Sequence, residues 1–260
     1  MVRASGVLPD DLTSDALTAD FRLLQRRRGH RFSLDDLATA WVAASACPEA
    51  RVALDLGCGI GSVLLMVAWR LRHARCFGIE AQEISFGLAQ RNVAENGVSD
   101  RVTVALGDLR DLAQVAGAEA YPPCDLVTGT PPYLPLGTAL LSPDPQRAAA
   151  RVELRGGVED YLLAASRVLA PEGRAVVCAD GRFPERVIRG AAAAGLAPLQ
   201  RVDVFPRVDA KDPLLAVWTC APLDAAPGPL EAERIVMRDE RGDRSLAALS
   251  MRRFFGLDLV

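Results

Sequence analysis

Lysine is almost missing from these 260 residues: Lys211 is the only one, and arginine supplies nearly all of the 30 basic side chains. A GC-rich coding sequence accounts for that bias, so only local clustering of arginine carries functional information. Histidine is nearly as scarce. With only His30 and His73, and six scattered cysteines (47, 58, 76, 124, 178 and 220) that form no Cys-x-x-Cys pair, the usual zinc ligand sets are absent. No metal is expected. The cysteines fall largely in strand-like segments, where a reduced thiol packs as a small hydrophobe. No apolar run approaches the length needed to span a bilayer. The first residues carry Asp10, Asp11 and Asp15 instead of an apolar signal core, which predicts a cytoplasmic protein with no membrane partner. Net charge is −3, which argues against indiscriminate binding to nucleic acid.

Half of the residues are apolar, enough for one domain with a full core. Short apolar segments alternate with amphipathic ones. Strands are predicted at Val52–Asp55, Cys76–Ile79, Val102–Leu106, Asp125–Thr128, Ala175–Cys178, Leu199–Val204 and Leu214–Cys220. Helices are predicted at Ser62–Arg72, Glu83–Glu95, Gly157–Leu169 and Pro184–Ala194. That alternation predicts an α/β fold: a mostly parallel seven-stranded sheet, Rossmann-like, with helices on both faces. Residues 1–20 read as a flexible tail. Residues 21–46 form a basic leading segment and a helix with Ser33 as N-cap and Asp35 and Asp36 in its first turn. The main domain covers 47–222. A C-terminal extension, 223–260, begins with a proline-bounded linker and contains a further strand near Leu230–Met237. Monomer or small homo-oligomer are both compatible with this organisation.

Two segments carry chemistry. The first is Asp55-Leu56-Gly57-Cys58-Gly59-Ile60-Gly61, directly after the first predicted strand of the domain. Its glycines permit a tight turn with close backbone approach to a ligand. A dinucleotide fingerprint would need a third glycine at position 62, which is Ser62. The acid two residues before the first glycine suits a cationic amino-acid tail better than a pyrophosphate. Glu80, ending the second strand, is placed to accept from ribose hydroxyls, and Asp108 after the third to accept from an adenine amino group beside Leu109. Cys58 is expected to be a small filler.

The second segment is Thr130-Pro131-Pro132-Tyr133, after the fourth strand. An exocyclic amino group is a weak nucleophile because its lone pair is delocalised into the ring. Acceptors aimed at its two protons favour the tetrahedral nitrogen that develops during alkylation. The prolines stiffen the loop so that its carbonyls keep a fixed direction, and Tyr133 is suited to stack on an extruded base.

The ordered acids at successive strand ends resemble those of class I S-adenosylmethionine-dependent methyltransferases. Thr-Pro-Pro-Tyr resembles the Asn-Pro-Pro-Tyr signature of amino-group methyltransferases, with a threonine hydroxyl in place of the amide; Ser-Pro-Pro-Tyr occurs in DNA cytosine-N4 methyltransferases. From about residue 20 to 260 the chain resembles the bacterial tRNA adenine-N6 methyltransferases, through Gln25–Asp35, Arg151-Val152-Glu153, Glu159-Asp160-Tyr161 and Val236-Met237-Arg238-Asp239. The resemblance implies catalytic roles for Thr130, Pro131, Pro132 and Tyr133. S-adenosyl-L-methionine is implied as cofactor, held by Asp55, Gly57, Cys58, Gly59, Gly61, Glu80, Asp108, Leu109 and Thr130, and tRNA as partner. The basic run, with Arg26, Arg27, Arg28 and Arg31, reads either as phosphate contacts or as a solvated face. Pro143–Arg155 reads either as a substrate flap or as a surface loop. Methylation of a protein glutamine amide, a DNA base or a small molecule, or RNA binding without catalysis, are the alternative functions.

Overall fold

The computed structural model describes residues 10–115, 121–138, 140–225 and 228–257. In chain order the strands and helices are β1 (Leu12–Ala16), β2 (Arg22–Arg26), α1 (Leu34–Ala46), β3 (Val52–Leu56), α2 (Ser62–Arg70), β4 (Arg75–Glu80), α3 (Glu83–Glu95) and β5 (Val102–Leu106). Then come α4 (Leu112–Val115), β6 (Cys124–Gly129), α5 (Pro145–Arg151), α6 (Val158–Ser166), β7 (Leu169–Ala179), α7 (Pro184–Ala193), β8 (Leu196–Phe205), β9 (Leu215–Pro222), β10 (Glu231–Val236) and α8 (Leu246–Phe254).

The main sheet has eight strands in the order β10-β8-β9-β7-β6-β3-β4-β5. The predicted seven are all present, and the eighth is β10, the added strand of the C-terminal extension, which pairs parallel with β8 at the edge. β5, β4, β3, β6 and β7 are mutually parallel, and β9 runs antiparallel between β7 and β8. The five parallel strands therefore end on one rim, which is where a doubly wound sheet receives its ligands.

Side-chain alternation along each strand divides the core between the two faces. On β3, Ala53 joins the layer formed by α1, α2, α3 and α8, while Leu54 and Leu56 join the layer formed by α6 and α7. Parallel strands buried on both faces need apolar residues at nearly every position, and Val176, Val177, Cys178 and Ala179 of β7 are all buried.

Two expectations are corrected. Residues 12–16 are not a loose tail: β1 pairs antiparallel with β2, Leu12 opposite Arg26, and Leu17 is wholly buried. The start of that tail, residues 1–9, lies outside the described residues, as do part of the linker (226–227) and the last three residues of the extension. The helix predicted over 157–169 ends at Ser166, and Pro171-Glu172-Gly173, expected to close it, lies inside β7. The leading helix starts as its sequence dictates: the Ser33 N–H donates to Asp36 Oδ2 at 3.1 Å, half of a capping box.

Candidate functional site

The glycine turn leaves β3 with Gly57, Gly59 and Gly61 at φ of 59°, 57° and 87°, the left-handed region that side chains avoid. Three hydrogen bonds fix its path: Cys58 N–H to the Ile79 carbonyl at 2.8 Å, Gly61 N–H to the Cys58 carbonyl at 2.8 Å, and Gly59 N–H to Glu80 Oε2 at 2.8 Å. A Cβ added at Gly59 would meet nothing within 4 Å, so the backbone there is open to a ligand. Cys58 is buried and packs under Gly78 of β4, and burial pushes its thiol well above the usual range, as a filler requires.

The three strand-end acids have three different environments. Glu80 sits on the cavity wall with one carboxylate oxygen on Gly59 N–H and the other on Gln82 N–H at 2.7 Å. Burial raises its pKa, and those two backbone donors oppose the rise. Asp108 also reaches the cavity, but both of its oxygens are engaged by Arg110, at 2.9 Å (Nε) and 2.6 Å (Nη2). That pairing holds its carboxyl below the ordinary value. Asp55 is not on the cavity wall. It lies behind the turn, 3 % exposed, accepting from Leu64 N–H at 3.1 Å and from Thr128 Oγ1 at 2.7 Å. Burial pushes its carboxyl up to about 7, against those hydrogen bonds. Asp55 thus ties the end of β3 to the first turn of α2 and to β6. Gly61, capping α2, is likewise set back from the cavity.

Thr130-Pro131-Pro132-Tyr133 leaves β6 and faces the same cavity, which measures about 750 Å³ and is also lined by Gly57, Gly59, Glu80 and Leu109. Pro131 is buried and Thr130 is half-buried, with no side-chain hydrogen bond among the described residues. The Tyr133 ring borders the cavity, but its hydroxyl points into the core, 2.9 Å from Cys178 Sγ of β7 and 3.5 Å from Asp35 Oδ2 of α1. Burial raises the Tyr133 pKa well above that of a free phenol.

The basic run is paired in part. Arg26 pairs with Asp144 at 3.0 Å and Asp11 at 3.7 Å, and Arg31 pairs with Asp15 at 3.0 Å. Arg27 donates to the Asp10 carbonyl at 2.9 Å. Arg28 is exposed, with no ion pair among the described residues. Most of this charge staples β1 and β2 together and ties them to the start of α5.

Several residues at or behind the cavity had no site role in the sequence reading. Tyr161 of α6 lies under the turn, so close that a Cβ at Gly57 would overlap its hydroxyl and one at Gly129 would sit 2.5 Å from its Cδ1. His30, Asp35 and Asp36 line the acceptor side; burial lowers the His30 pKa and raises that of Asp36. Asn92 of α3 is fully buried, and its amide donates to the carbonyls of Leu24 (3.0 Å) and Ile60 (2.9 Å), locking the leading segment to the glycine turn. An asparagine in the middle of an otherwise apolar helix face is the sequence signal for such a tie.

Comparison with known proteins gives the family and the fold. A family model described as a methyltransferase domain matches residues 53–128, which run from β3 through β6. A curated tRNA1(Val) (adenine(37)-N6)-methyltransferase from Porphyromonas gingivalis is 36% identical over 143 residues, 53% of this chain and 53% of that protein. For that relative the match thus spans about half of its length. A protein of the same name from Musicola paradisiaca is 32% identical over 240 residues, 88% of this chain and 89% of its own. The solved structure titled as a predicted O-methyltransferase from Agrobacterium tumefaciens superposes with a TM-score of 0.62 at 18% identity, over 86% of this chain and 98% of that one. At that identity it shows a shared fold, the class I methyltransferase fold.

Proposed function

The chain belongs to the tRNA1(Val) (adenine(37)-N6)-methyltransferase family, and from that premise we propose that it transfers a methyl group from S-adenosyl-L-methionine to the exocyclic N6 of an adenine in tRNA. The observation that carries this reading is that the glycine turn and the Thr-Pro-Pro-Tyr loop, 69 residues apart by the Gly61 and Thr130 numbers, face one cavity.

The residues present fit the donor. Gly57 and Gly59 give a backbone cradle with open space over Gly59. Glu80, fixed by two N–H donors, keeps lone pairs for ribose hydroxyls. Asp108 and Leu109 lie at the end of β5 for the adenine, with Asp108 already engaged by Arg110. Bound there, S-adenosylmethionine supplies an electrophilic methyl group on a sulfonium.

The protein's own contribution is alignment and hydrogen-bond acceptance. The Thr130 hydroxyl and the adjoining proline carbonyls are acceptors for the two protons of the incoming amino group. As the lone pair turns from the ring toward the methyl carbon, those acceptors stabilise the positive charge growing on nitrogen. No strong base is required, because the methylated ammonium is acidic enough to release its proton to water. The Tyr133 ring, pinned at its hydroxyl end by Cys178 and Asp35, offers a flat face to the base and cannot rotate away. Burial of His30 favours its neutral form beside this path.

Incubation with labelled donor and total tRNA, followed by nucleoside mass spectrometry, tests the product, with N6-methyladenosine expected. Label appearing instead in protein or metabolite fractions would remove the tRNA assignment. Calorimetry with S-adenosylmethionine and NAD tests the donor; exclusive NAD binding would refute the site itself.

A further inference from the structure

We propose that Arg147 and Arg151 of α5 form a phosphate-binding rim, holding the ribose-phosphate strand that carries the acceptor base into the cavity. The inference rests on the tRNA reading above and moves the nucleic-acid contact from the leading basic run to the segment after the Pro-Pro-Tyr loop.

α5 has a buried side and a charged side. Gln146, 1% exposed, accepts from His30 N–H at 3.2 Å and Arg26 Nη1 at 3.3 Å, and donates to Ser85 Oγ at 3.1 Å. The Pro145 carbonyl accepts from Gln82 Nε2 at 2.8 Å, and Ala148 and Val152 are buried. The helix is therefore held to both the leading segment and α3. Arg147 and Arg151, four residues apart, lie on one helix face about 6 Å apart along the axis. Both are exposed and both border the cavity.

What distinguishes them is an exposed, unpaired charge on the cavity side of one helix face. Among the described residues neither guanidinium donates a hydrogen bond or closes an ion pair, as is also true of Arg28, which does not border the cavity, and of Arg155, which does, whereas Arg26, Arg31, Arg110, Arg182, Arg186 and Arg201 all pair with carboxylates. The nearby acid, Asp144, is already taken by Arg26 and by the N–H of Arg147. A polyanion approaching this cavity meets Glu80, Asp108 and Asp35 on its wall. Two unneutralised cations at the mouth offset that repulsion and contact phosphates directly. Arg155 also borders the cavity, but it lies beyond the end of α5 and off the Arg147–Arg151 helix face, and it is left unaltered in the test.

The test uses the full chain and a synthetic RNA with the sequence of the valine-tRNA anticodon arm, with binding read by fluorescence anisotropy across a salt series. Arg147→Gln and Arg151→Gln are each expected to weaken binding about 3- to 10-fold, and the double variant to flatten the slope of log K against log salt by about two. Affinity for S-adenosylmethionine, measured by calorimetry, should stay within about twofold. Arg→Lys at both positions should keep most of the salt slope, because the charge is retained. Arg75→Gln, at the start of β4 on the opposite rim, should change neither quantity. An equal loss in Arg75→Gln, or an unchanged slope and affinity in the double variant, overturns the rim assignment while leaving the tRNA reading intact. If the unaltered protein shows no salt-dependent binding to this RNA, both readings fall together.

Discussion

Gly57→Ala isolates the contact that holds the donor turn in shape. Two costs are separable at this position. Backbone φ is 59°, where an L-residue is strained by about 1–2 kcal/mol. The new Cβ would also overlap the Tyr161 hydroxyl, and the ring has no room to retreat, since it is 7% exposed and its Cδ1 lies against Gly129. Overpacking of that kind costs about 1–3 kcal/mol. Together these should lower the midpoint of thermal unfolding by roughly 5–15 °C for a chain of this size. Removing the obstructing atom should recover only the second part. In Tyr161→Phe the nearest ring atom to that Cβ becomes Cζ, at 3.1 Å, a contact that a small shift can relieve. The Tyr161 hydroxyl donates to no other described residue, so Tyr161→Phe alone should be close to neutral. Gly59→Ala provides the reference for pure backbone strain: φ is 57° and nothing lies within 4 Å of its added Cβ. A double-mutant cycle over Gly57 and Tyr161, read by thermal melts and by donor titration, should give a coupling of about 1–3 kcal/mol. Additive losses, with no recovery in the double variant, would refute the claim that Tyr161 sets the shape of the turn.

Thr130→Val keeps shape and removes the side-chain acceptor, so turnover should fall about 100-fold with donor affinity nearly unchanged; steady-state kinetics and calorimetry check both, and unchanged turnover would remove Thr130 from the chemistry. Tyr133→Ala should reduce turnover strongly, and Tyr133→Phe, which keeps the ring but loses the contacts to Cys178 and Asp35 that hold the loop, should reduce it by a smaller factor; unchanged turnover in Tyr133→Phe would show that the hydroxyl does not orient the loop, and unchanged turnover in Tyr133→Ala that the ring is not a stacking platform. The Asp55 carboxyl binds its proton more tightly in the folded chain (about 7) than at its ordinary value of 3.8. Its contribution is therefore fully present below pH 4 and lost as pH rises through 7, at most about 4 kcal/mol. Denaturant titrations from pH 4 to 8 should show that decline flattened in Asp55→Asn, and an unchanged slope would show that Asp55 ionises freely.

The parallel strands were legible because strands buried on both faces write an apolar residue at nearly every position, and the glycines of residues 57–61 mark a turn that few other residues can make. α3 matched its predicted bounds, with Glu83 at its start and Asn96-Gly97 beyond its end. Strand β1 was not legible, since Leu12-Thr13-Ser14-Asp15-Ala16 has no marked alternation. It is held by pairing with β2 and by the Arg31–Asp15 ion pair, which join parts of the chain that sequence reading takes separately. The surroundings of Asp55 were not legible for a related reason: spacing fixes an acid before the turn but does not say that its carboxylate is buried against Leu64 and Thr128. Charge runs mislead in the same way. Five arginines in ten residues look like a surface for polyanions, yet Asp11, Asp15 and Asp144 pair with two of them, Arg26 and Arg31, whereas Arg147 and Arg151 on α5 border the cavity with no carboxylate partner among the described residues.

The position of Tyr133 explains how an acceptor loop can keep its direction without the asparagine usual at its head. An amide at position 130 would help orient the base by presenting a donor and an acceptor together. In this chain the loop is oriented from its other end. Pro131 is buried, and the Tyr133 hydroxyl is held between Cys178 of β7 and Asp35 in the first turn of α1. Asp35 is in turn positioned by the α1 N-terminus, where Ser33 and Asp36 form the capping box. The path of the loop is thus set by the core and by a helix cap, two features insensitive to the residue at 130. Under the proposed function a hydroxyl, offering a single oxygen, would suffice as acceptor, since its direction would come from the backbone that carries it, and exchanging Thr130 for Asn should alter the rate of methyl transfer far less than loosening Tyr133.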